Sequence, residues 1–424
     1  MAADPDPVVH PSAPRRRLDS WKEIADYLRR GLTTVQRWER EEGLPIHRHV
    51  HTSGGSVFAY PEDLDKWRAG REPSAGSASV DVPLSPSAEG SSDVPGGAMP
   101  LDSPYYISRA ADDEFRQAIA RRTSIVLVKG PRQVGKSSLL ARALEDARRS
   151  RTSVVFTDVQ ALGRDDLRSP MAVYQALGRS IAEQIKVPSS ILDSWNDSDS
   201  PNTNFSRYMR AVLGAHPHVV WGLDEIDRLV GMDYSTDVFG LFRSWHNRRA
   251  LDPGAPWGRL TLAIAYATEA HLLIADLNQS PFNVGARVAL EDFDAGETMT
   301  LNARHGSVLD TPSAAARLMS LVGGSPYLLQ CAFYELGRGG SLDRLEDDAR
   351  RESGPLGEHL RRVRVLLQTD PALDRAMAAV LKGDACPDRD SFYRLRSAGL
   401  ILGASPSEAR PRCGLYRQLM SVAT

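Results

Sequence analysis

Apolar residues dominate short runs at 124–128, 153–159, 219–225 and 260–268, with a weaker run at 287–290, and none alternates regularly with polar residues. Strands of this kind are covered on both faces, which predicts a parallel sheet between layers of helices. Residues 138–144 carry apolar side chains at helical spacing, so the chain alternates strand and helix in the manner of an open α/β sheet. Further on, Asp294 and Glu297 read as a capping box, and Gly323 and Gly324 as a stop between paired helices at 314–322 and 327–336.

The two ends of the chain follow a different pattern. An amphipathic helix at 21–28, Gly31 and a second short helix at 33–40 make a helix-turn-helix arrangement. Residues 47–51 and 56–60 then read as a two-stranded wing with a glycine turn, and a closing helix starts at 61. Near the other end, helical patterns at 372–381 and 388–400 run into a hairpin whose return strand is expected at 412–416, a second winged-helix arrangement. Residues 72–100 are largely Ser, Pro, Gly and Ala without a Lys or Arg, the composition of a flexible linker. The expected domains are therefore 15–71, the linker 72–100, a core at 101–292, a helical lid at 293–357 and a terminal module at 358–424.

The chemistry is concentrated at Gly130-Pro131-Arg132-Gln133-Val134-Gly135-Lys136-Ser137, which fits G-x-x-x-x-G-K-[ST] between a predicted strand and a predicted helix. Such a loop turns successive N–H groups inward around phosphates while the helix presents its positive end to the same anion. Lys136 is expected to neutralise the β/γ oxygens and Ser137 to give its hydroxyl to Mg²⁺. The nucleotide-binding set expected here is Gly130 through Ser138, and the cofactors are ATP and Mg²⁺.

The run at 219–225 ends in Asp224 and Glu225, and ligands lie at the carboxyl ends of parallel strands. In phosphoryl transfer to water, Asp224 would hold the metal shell and Glu225 would orient or deprotonate the water. The competing structural reading is an acid pair stabilised by a helix dipole. Thr268 closes its strand, where it would touch the γ-phosphate or serve as a plain turn residue. Arg243, Arg248 and Arg249 are candidates for an arginine finger, against the ordinary reading of a solvated helix face.

Residues 103–109, the phosphate loop, the Leu223-Asp224-Glu225 acids and Gly323-Gly324-Ser325-Pro326-Tyr327-Leu328 together resemble the bacterial AAA-like domain family, close to the STAND signalling ATPases. The resemblance covers roughly residues 101–420. It implies a P-loop NTPase core of AAA type with a helical lid, Pro326 near the nucleotide base and Arg109 in a short arginine motif before the core. An arginine that often follows the threonine in the STAND pattern is absent at Ala267-Thr268-Glu269, which implies slow hydrolysis.

The first unit resembles the winged helix of the MerR and excisionase group. Val35 and Trp38 would face inward, leaving Thr33, Thr34, Gln36, Arg37 and Arg40 for base edges and phosphates, with Arg48 on the wing. Acids nearly balance Arg15, Arg16, Arg17 and the other arginines of the unit, so a protein-binding winged helix is the rival reading. His47, His49 and His51 would contact phosphate or solvent rather than a metal, since no carboxylate or cysteine stands at ligand spacing. Arg394 and Arg396 in the last module would face nucleic acid or the ATPase.

The net charge of −2 gives no global electrostatic partner, and Cys331, Cys386 and Cys413 are too few for a disulfide framework or zinc site. No apolar stretch reaches the length of a membrane span, and a cytoplasmic location is expected. The functional expectation is a slowly hydrolysing, ATP-binding switch with a head that binds double-stranded DNA, acting in signalling, transcription or conflict response. An ATP-dependent adaptor whose winged helices bind protein effectors is the alternative, and an ATP-dependent homo-oligomer remains open.

Overall fold

The computed structural model describes residues 17–18, 20–28, 35, 39, 44–48, 57–69, 95–187, 195–196, 198–267, 281–349, 351 and 353–420. The chain divides into two compact units, Met1–Ser87 and Ala88–Thr424.

In the first unit, α1 (Trp21–Leu28) places Ile24, Ala25 and Leu28 on one buried face. They join Val35, Leu44, Val57, Ala59 and Leu64 in a small apolar core. Strands β1 (His47–Arg48) and β2 (Val57–Phe58) pair antiparallel, and Leu18 exchanges two backbone hydrogen bonds of 3.0 Å with Ala59 beside them. The helix α2 (Pro61–Ala69) closes the unit, with Tyr27 donating its hydroxyl to Asp65 at 2.7 Å. Of the expected second helix, Val35 is helical and fully buried, while Trp38 lies outside the described residues.

The second unit is built on a five-stranded, all-parallel sheet. In chain order its elements are α3 (Ala110–Ala120), β3 (Ile125–Lys129), α4 (Lys136–Arg149), β4 (Ser153–Asp158), α5 (Pro170–Gln184), α6 (Pro201–Ala215), β5 (Val219–Asp224), α7 (Ser235–Leu251), β6 (Leu260–Tyr266) and β7 (Ala286–Ala289). The strand order is β4-β5-β6-β3-β7, so β6 separates the strand before the phosphate loop from the strand that ends in the acids.

The two-residue period explains the unbroken apolar runs. Ile125 and Leu127 enter one core with Trp221, Leu262 and Ile264, whereas Val126 and Val128 enter another with Val220, Ala263 and Ala265. The first core is aromatic, with Trp245 stacked on Trp257 at 5.2 Å. The second packs α4 close against the sheet through Leu139, Leu140, Ala143 and Leu144.

Helices α8 (Ala295–Arg304), α9 (Pro312–Val322), α10 (Pro326–Gly337) and α11 (Leu342–Asp348) form the lid. Asp294 and Glu297 make the reciprocal capping box at the start of α8. Helices α12 (Gly357–Gln368), α13 (Pro371–Lys382) and α14 (Arg389–Ser397) follow, then β8 (Ile401–Leu402) paired antiparallel with β9 (Arg410–Pro411). One continuous apolar core runs from Leu301 in the lid to Tyr416, so the boundary expected at 357/358 is not a boundary of packing.

The return strand is β9, earlier than the expected 412–416. Residues Gly414–Met420 instead form a 3₁₀ run, because Leu415 and Tyr416 are both buried in the lid core, and a strand would turn consecutive side chains to opposite faces.

Candidate nucleotide site

The loop leaves β3 at Gly130, where an added Cβ would lie 2.5 Å from the Leu290 carbonyl oxygen, so only glycine fits. Gln133 (φ 64°) and Gly135 (φ 100°) adopt left-handed backbone that reverses the chain into α4. This curvature aims the free amides at the start of α4 into one concavity.

Lys136 is the first residue of α4 and is buried, with Nζ donating to the Pro131 carbonyl at 2.9 Å. Burial pushes its ammonium below the usual lysine range, and Asp227, Glu225 and Asp224 act in the opposite direction. The lysine therefore faces three acids across the place where phosphate oxygens would lie.

Asp224 is the buried last residue of β5. Burial raises its pKa, while hydrogen bonds from the Ser137 hydroxyl and the Glu225 amide favour the charged form. Ser137 and Asp224 thus bring hydroxyl and carboxylate oxygens together at the loop, a donor pair suited to a hard cation such as Mg²⁺. Among the described residues no group of three or more His, Cys, Asp or Glu side chains converges on a metal position. Glu225 adopts φ 52°, and burial raises its pKa, with Lys136 opposing and Asp224 and Asp227 reinforcing the shift. A raised carboxylate beside the phosphate position is the direction a general base requires.

Asp227, which the sequence reading did not single out, stands beside Lys136 at the site. Its carboxylate accepts the Ala267 amide at 2.9 and 3.2 Å, tying the end of β6 to the acid strand. The third acid of the Asp224-Glu225-Ile226-Asp227 cluster was the available signal. Thr268 lies outside the described residues.

Arg109 donates to the carbonyls of Val134 at 3.1 Å and Glu291 at 3.2 Å, and its guanidinium lies 5.2 Å from the Phe293 ring centroid. It ties the loop to the segment that follows β7, with its Nε buried and unpartnered. A cavity of about 630 Å³ opens in front, lined by Gln133 through Ser138, Glu225, Arg109, Pro326, Tyr327 and Arg362. That volume is within the range of cofactor sites. Pro326 therefore shares the cavity with the phosphate loop, as does Arg362, which lies outside every sequence motif.

Residues 95–107 wall the cavity as a strap. Met99 donates its amide to Ser138 Oγ at 2.9 Å, while Arg142 donates to the Met99 and Pro100 carbonyls and lies over the Tyr106 ring. Gln330 ties the strap to α10 through the Tyr105 carbonyl at 3.0 Å. The carboxyl-terminal module touches the loop as well. The Arg132 amide donates to the Ser397 carbonyl at 3.0 Å, and Arg412 forms a forked ion pair with Asp292 just after β7.

The three candidate finger arginines are elsewhere. Arg248 and Arg249 end α7, and Arg249 donates to the carbonyls of Arg122 and Gly258, at the amino-terminal ends of β3 and β6. Arg243 acts on His246, which bonds Ser124 on that same side. The phosphate loop is at the opposite ends of these strands, so none of the three reaches the chain's own nucleotide site. Arg394 is held by Asp370 at 2.6 Å and Asp390 at 3.5 Å. Thr33, Thr34, Gln36, Arg37 and Arg40 lie outside the described residues, as do His49 and His51, and the backbone of Arg48 is in β1.

An uncharacterised WD repeat-containing protein of Synechocystis is 28% identical over 247 residues, 55% of this chain and 20% of its own length. The chain thus spans about a fifth of that curated relative. A Walker-type ATPase of Pyrococcus abyssi superposes with a TM-score of 0.53 at 17% identity, over 75% of this chain and 96% of the other, which shows a shared ATPase-type fold. The ORC2 protein of Aeropyrum pernix, solved as ADPNP and ADP complexes, gives a TM-score of 0.41 at 14% identity, over 73% of this chain and 91% of its own. The family described as AAA-like domain matches residues 94–421, carrying the loop, the acids, the lid and the terminal module together, and the chain belongs to it.

Proposed function

We propose that the chain is an ATP-binding, slowly hydrolysing switch whose carboxyl-terminal module responds to the nucleotide and whose amino-terminal unit binds double-stranded DNA. One observation carries the switch: the phosphate loop hydrogen-bonds the module through Arg132 and Ser397. A ligand that reshapes the loop acts on that contact directly, and by linkage the contact acts on the ligand. In this reading Lys136 and the α4 amides hold the phosphates, Ser137 and Asp224 hold Mg²⁺, Glu225 handles the attacking water and Arg362 supplies positive charge from the module side. Thr268 remains the proposed γ-phosphate contact.

The head is read as a winged helix of the MerR and excisionase type. The helix α1, the buried Val35 and the antiparallel β1–β2 ribbon support this reading. Thr33, Thr34, Gln36, Arg37, Arg40 and Arg48 are the proposed DNA contacts. Sequence selection with the intact protein tests it. The enriched duplex should lose affinity in Arg37→Ala and Arg40→Ala, by about 1–3 kcal/mol for the arginine that reads a base. Enrichment of no sequence, with capture of a defined protein by the head, would assign the chain to the adaptor class.

A further inference from the structure

The edge of the sheet opposite the nucleotide carries a repeated local structure. After α3, Arg122 is left-handed at φ 54°, followed by Thr123 and Ser124 at the start of β3. After α4, Arg151 is left-handed at φ 58°, followed by Thr152 and Ser153 at the start of β4. Both helix ends close in the same way. Arg122 and Thr123 donate to the Ile119 and Ala118 carbonyls, and Arg151 and Thr152 to those of Arg148 and Ala147. Each serine hydroxyl then meets a histidine Nδ1, Ser124 with His246 at 2.5 Å and Ser153 with His216 at 2.9 Å.

Glycine is the ordinary residue at such a left-handed helix end, because a Cβ is strained there. Arginine stands at both. Complementing the helix dipole does not explain the choice at α4, since a cation anywhere in the last turn does so and α4 already has Arg148 and Arg149 there, matched by Glu145 and Asp146. The last turn of α3 has no basic residue, but Arg121 at its end serves the dipole without left-handed strain. Arg122 and Arg151 are exposed, and neither has a carboxylate within 4.0 Å among the described residues.

The strands between them keep the edge positive. Arg259 precedes β6 and donates to the Leu213 carbonyl, while Arg249 pins the Arg122 and Gly258 carbonyls. The charges acting on the buried His218, before β5, are Arg122 and Arg249, and those acting on His246 are Arg249 and Arg243. The edge thus concentrates cations in a chain whose net charge is −2.

We propose that this edge binds the sugar-phosphate backbone of duplex DNA without regard to sequence, with Arg122 and Arg151 as its outer phosphate contacts. The strands β4 and β3 are three steps apart in the sheet, which sets the strand starts that follow the two arginines about 14 Å apart, close to the ~12 Å width of a major groove. An acidic protein is the weaker occupant. Its interface would need an apolar centre, and the large exposed apolar residue beside this edge is Leu251 alone among the described residues. The contact is separate from the proposed head contacts, because no residue is shared.

The test uses the full chain with Arg37→Ala and Arg40→Ala in the background, so that the head's contribution is reduced in every sample. Anisotropy of a labelled random-sequence duplex is followed against salt in this protein and with Arg122→Gly and Arg151→Gly added. Glycine relieves the left-handed strain, so melting temperature and ATP binding should be unchanged or improved. Affinity should fall about tenfold at low salt, and the slope of log K against log salt should shrink by about two. If melting drops, Arg122→Asn with Arg151→Asn, which also tolerates the left-handed region, is read by the same slope. An unchanged slope overturns the proposal. So does arginine-dependent binding of polyglutamate by an edge that ignores the duplex.

Discussion

The ion pair between Arg412 and Asp292 should control both the stability of the second unit and its hold on ATP. The Arg412 side chain is 3% exposed and that of Asp292 24%. The guanidinium places Nε 2.8 Å from Oδ2, Nη2 against Oδ1 and Nη1 3.2 Å from the Gly399 carbonyl. Asp292→Ala leaves a buried cation with a single carbonyl, and breaking such a pair costs about 3–5 kcal/mol. The lower end applies, because Asp292 keeps some water. Arg412→Met removes the charge but fills the space, so the double variant should be less damaged than Asp292→Ala alone, with a coupling of about 2 kcal/mol in a double-mutant cycle. Urea unfolding of the four proteins measures it. Because Arg412 follows β9 and Ser397 ends α14 in the same module, loosening the pair should also free the Arg132 amide and weaken ATP binding. A coupling below about 0.5 kcal/mol would refute the buried-pair reasoning. A stability loss with unaltered ATP affinity would refute the link from module to loop.

Lys136→Ala should abolish Mg-ATP binding, while the unaltered protein should gain about 2.7 kcal/mol of stability at a hundredfold excess of ATP over its Kd; unchanged melting at saturating ATP would contradict this. Glu225→Gln should retain bound ATP and lose turnover, and Asp224→Asn should weaken the Mg²⁺ dependence; equal turnover in Glu225→Gln would make that acid structural. Acid should destabilise the protein through His359, which is buried against the Tyr416 hydroxyl at 3.0 Å and whose pKa is pushed down to about 4 by burial, Arg362 and Arg412. Its folded pKa is below its unfolded one, so its contribution is complete above about pH 6.5 and falls toward pH 4, by at most ~3 kcal/mol. His359→Gln should remove its share of that slope and leave the share of His218, whose pKa is likewise pushed down to about 4 by burial, Arg122 and Arg249, and an unaltered curve would exclude His359.

The loop and the acid pair were legible because phosphate chemistry demands particular residues at short, fixed spacing. The strands were legible because burial on both faces removes polar alternation. Neither rule reaches Arg362, whose place depends on how α12 folds back over the loop, which local spacing does not encode, and Arg109 was expected only through the family resemblance. The return strand was misplaced for a related reason. Residues 412–416 stand where a hairpin's return strand is expected, but the lid core claims Leu415 and Tyr416 together. The position of the candidate finger arginines was legible in the alternation of strand and helix: a helix between two parallel strands runs back to the amino-terminal edge, so the last turns of α7 lie away from the phosphates.

The strap explains how the nucleotide can act on more than its own loop. Its first stretch, residues 95–100, is attached by the Met99 bond to Ser138 and by the Arg142 bonds to the Met99 and Pro100 carbonyls. Residues 104–107 are held further, by Arg304 on the Pro104 and Tyr106 carbonyls, Gln330 on that of Tyr105, the Tyr106 hydroxyl on Asp112, Tyr105 stacked on His305 and Ile107 buried in the lid core. At about 1 kcal/mol net for each hydrogen bond, the bonds at 95–100 sum to about 3 kcal/mol. ATP at a hundred times its Kd supplies about 2.7 kcal/mol, so closure of residues 95–100 and nucleotide binding are matched in size. Ser138 is where they meet, since its hydroxyl holds the strap while its helix turn faces the phosphates. A ligand seated on the α4 amides then shifts the equilibrium of residues 95–100, whereas residues 104–107, with their further contacts, stay in place whether or not ATP is bound. Ser138→Ala should therefore make closure of residues 95–100 more dependent on nucleotide, which protease protection of that stretch with and without ATP would read. Equal protection in both conditions would separate the strap from the site.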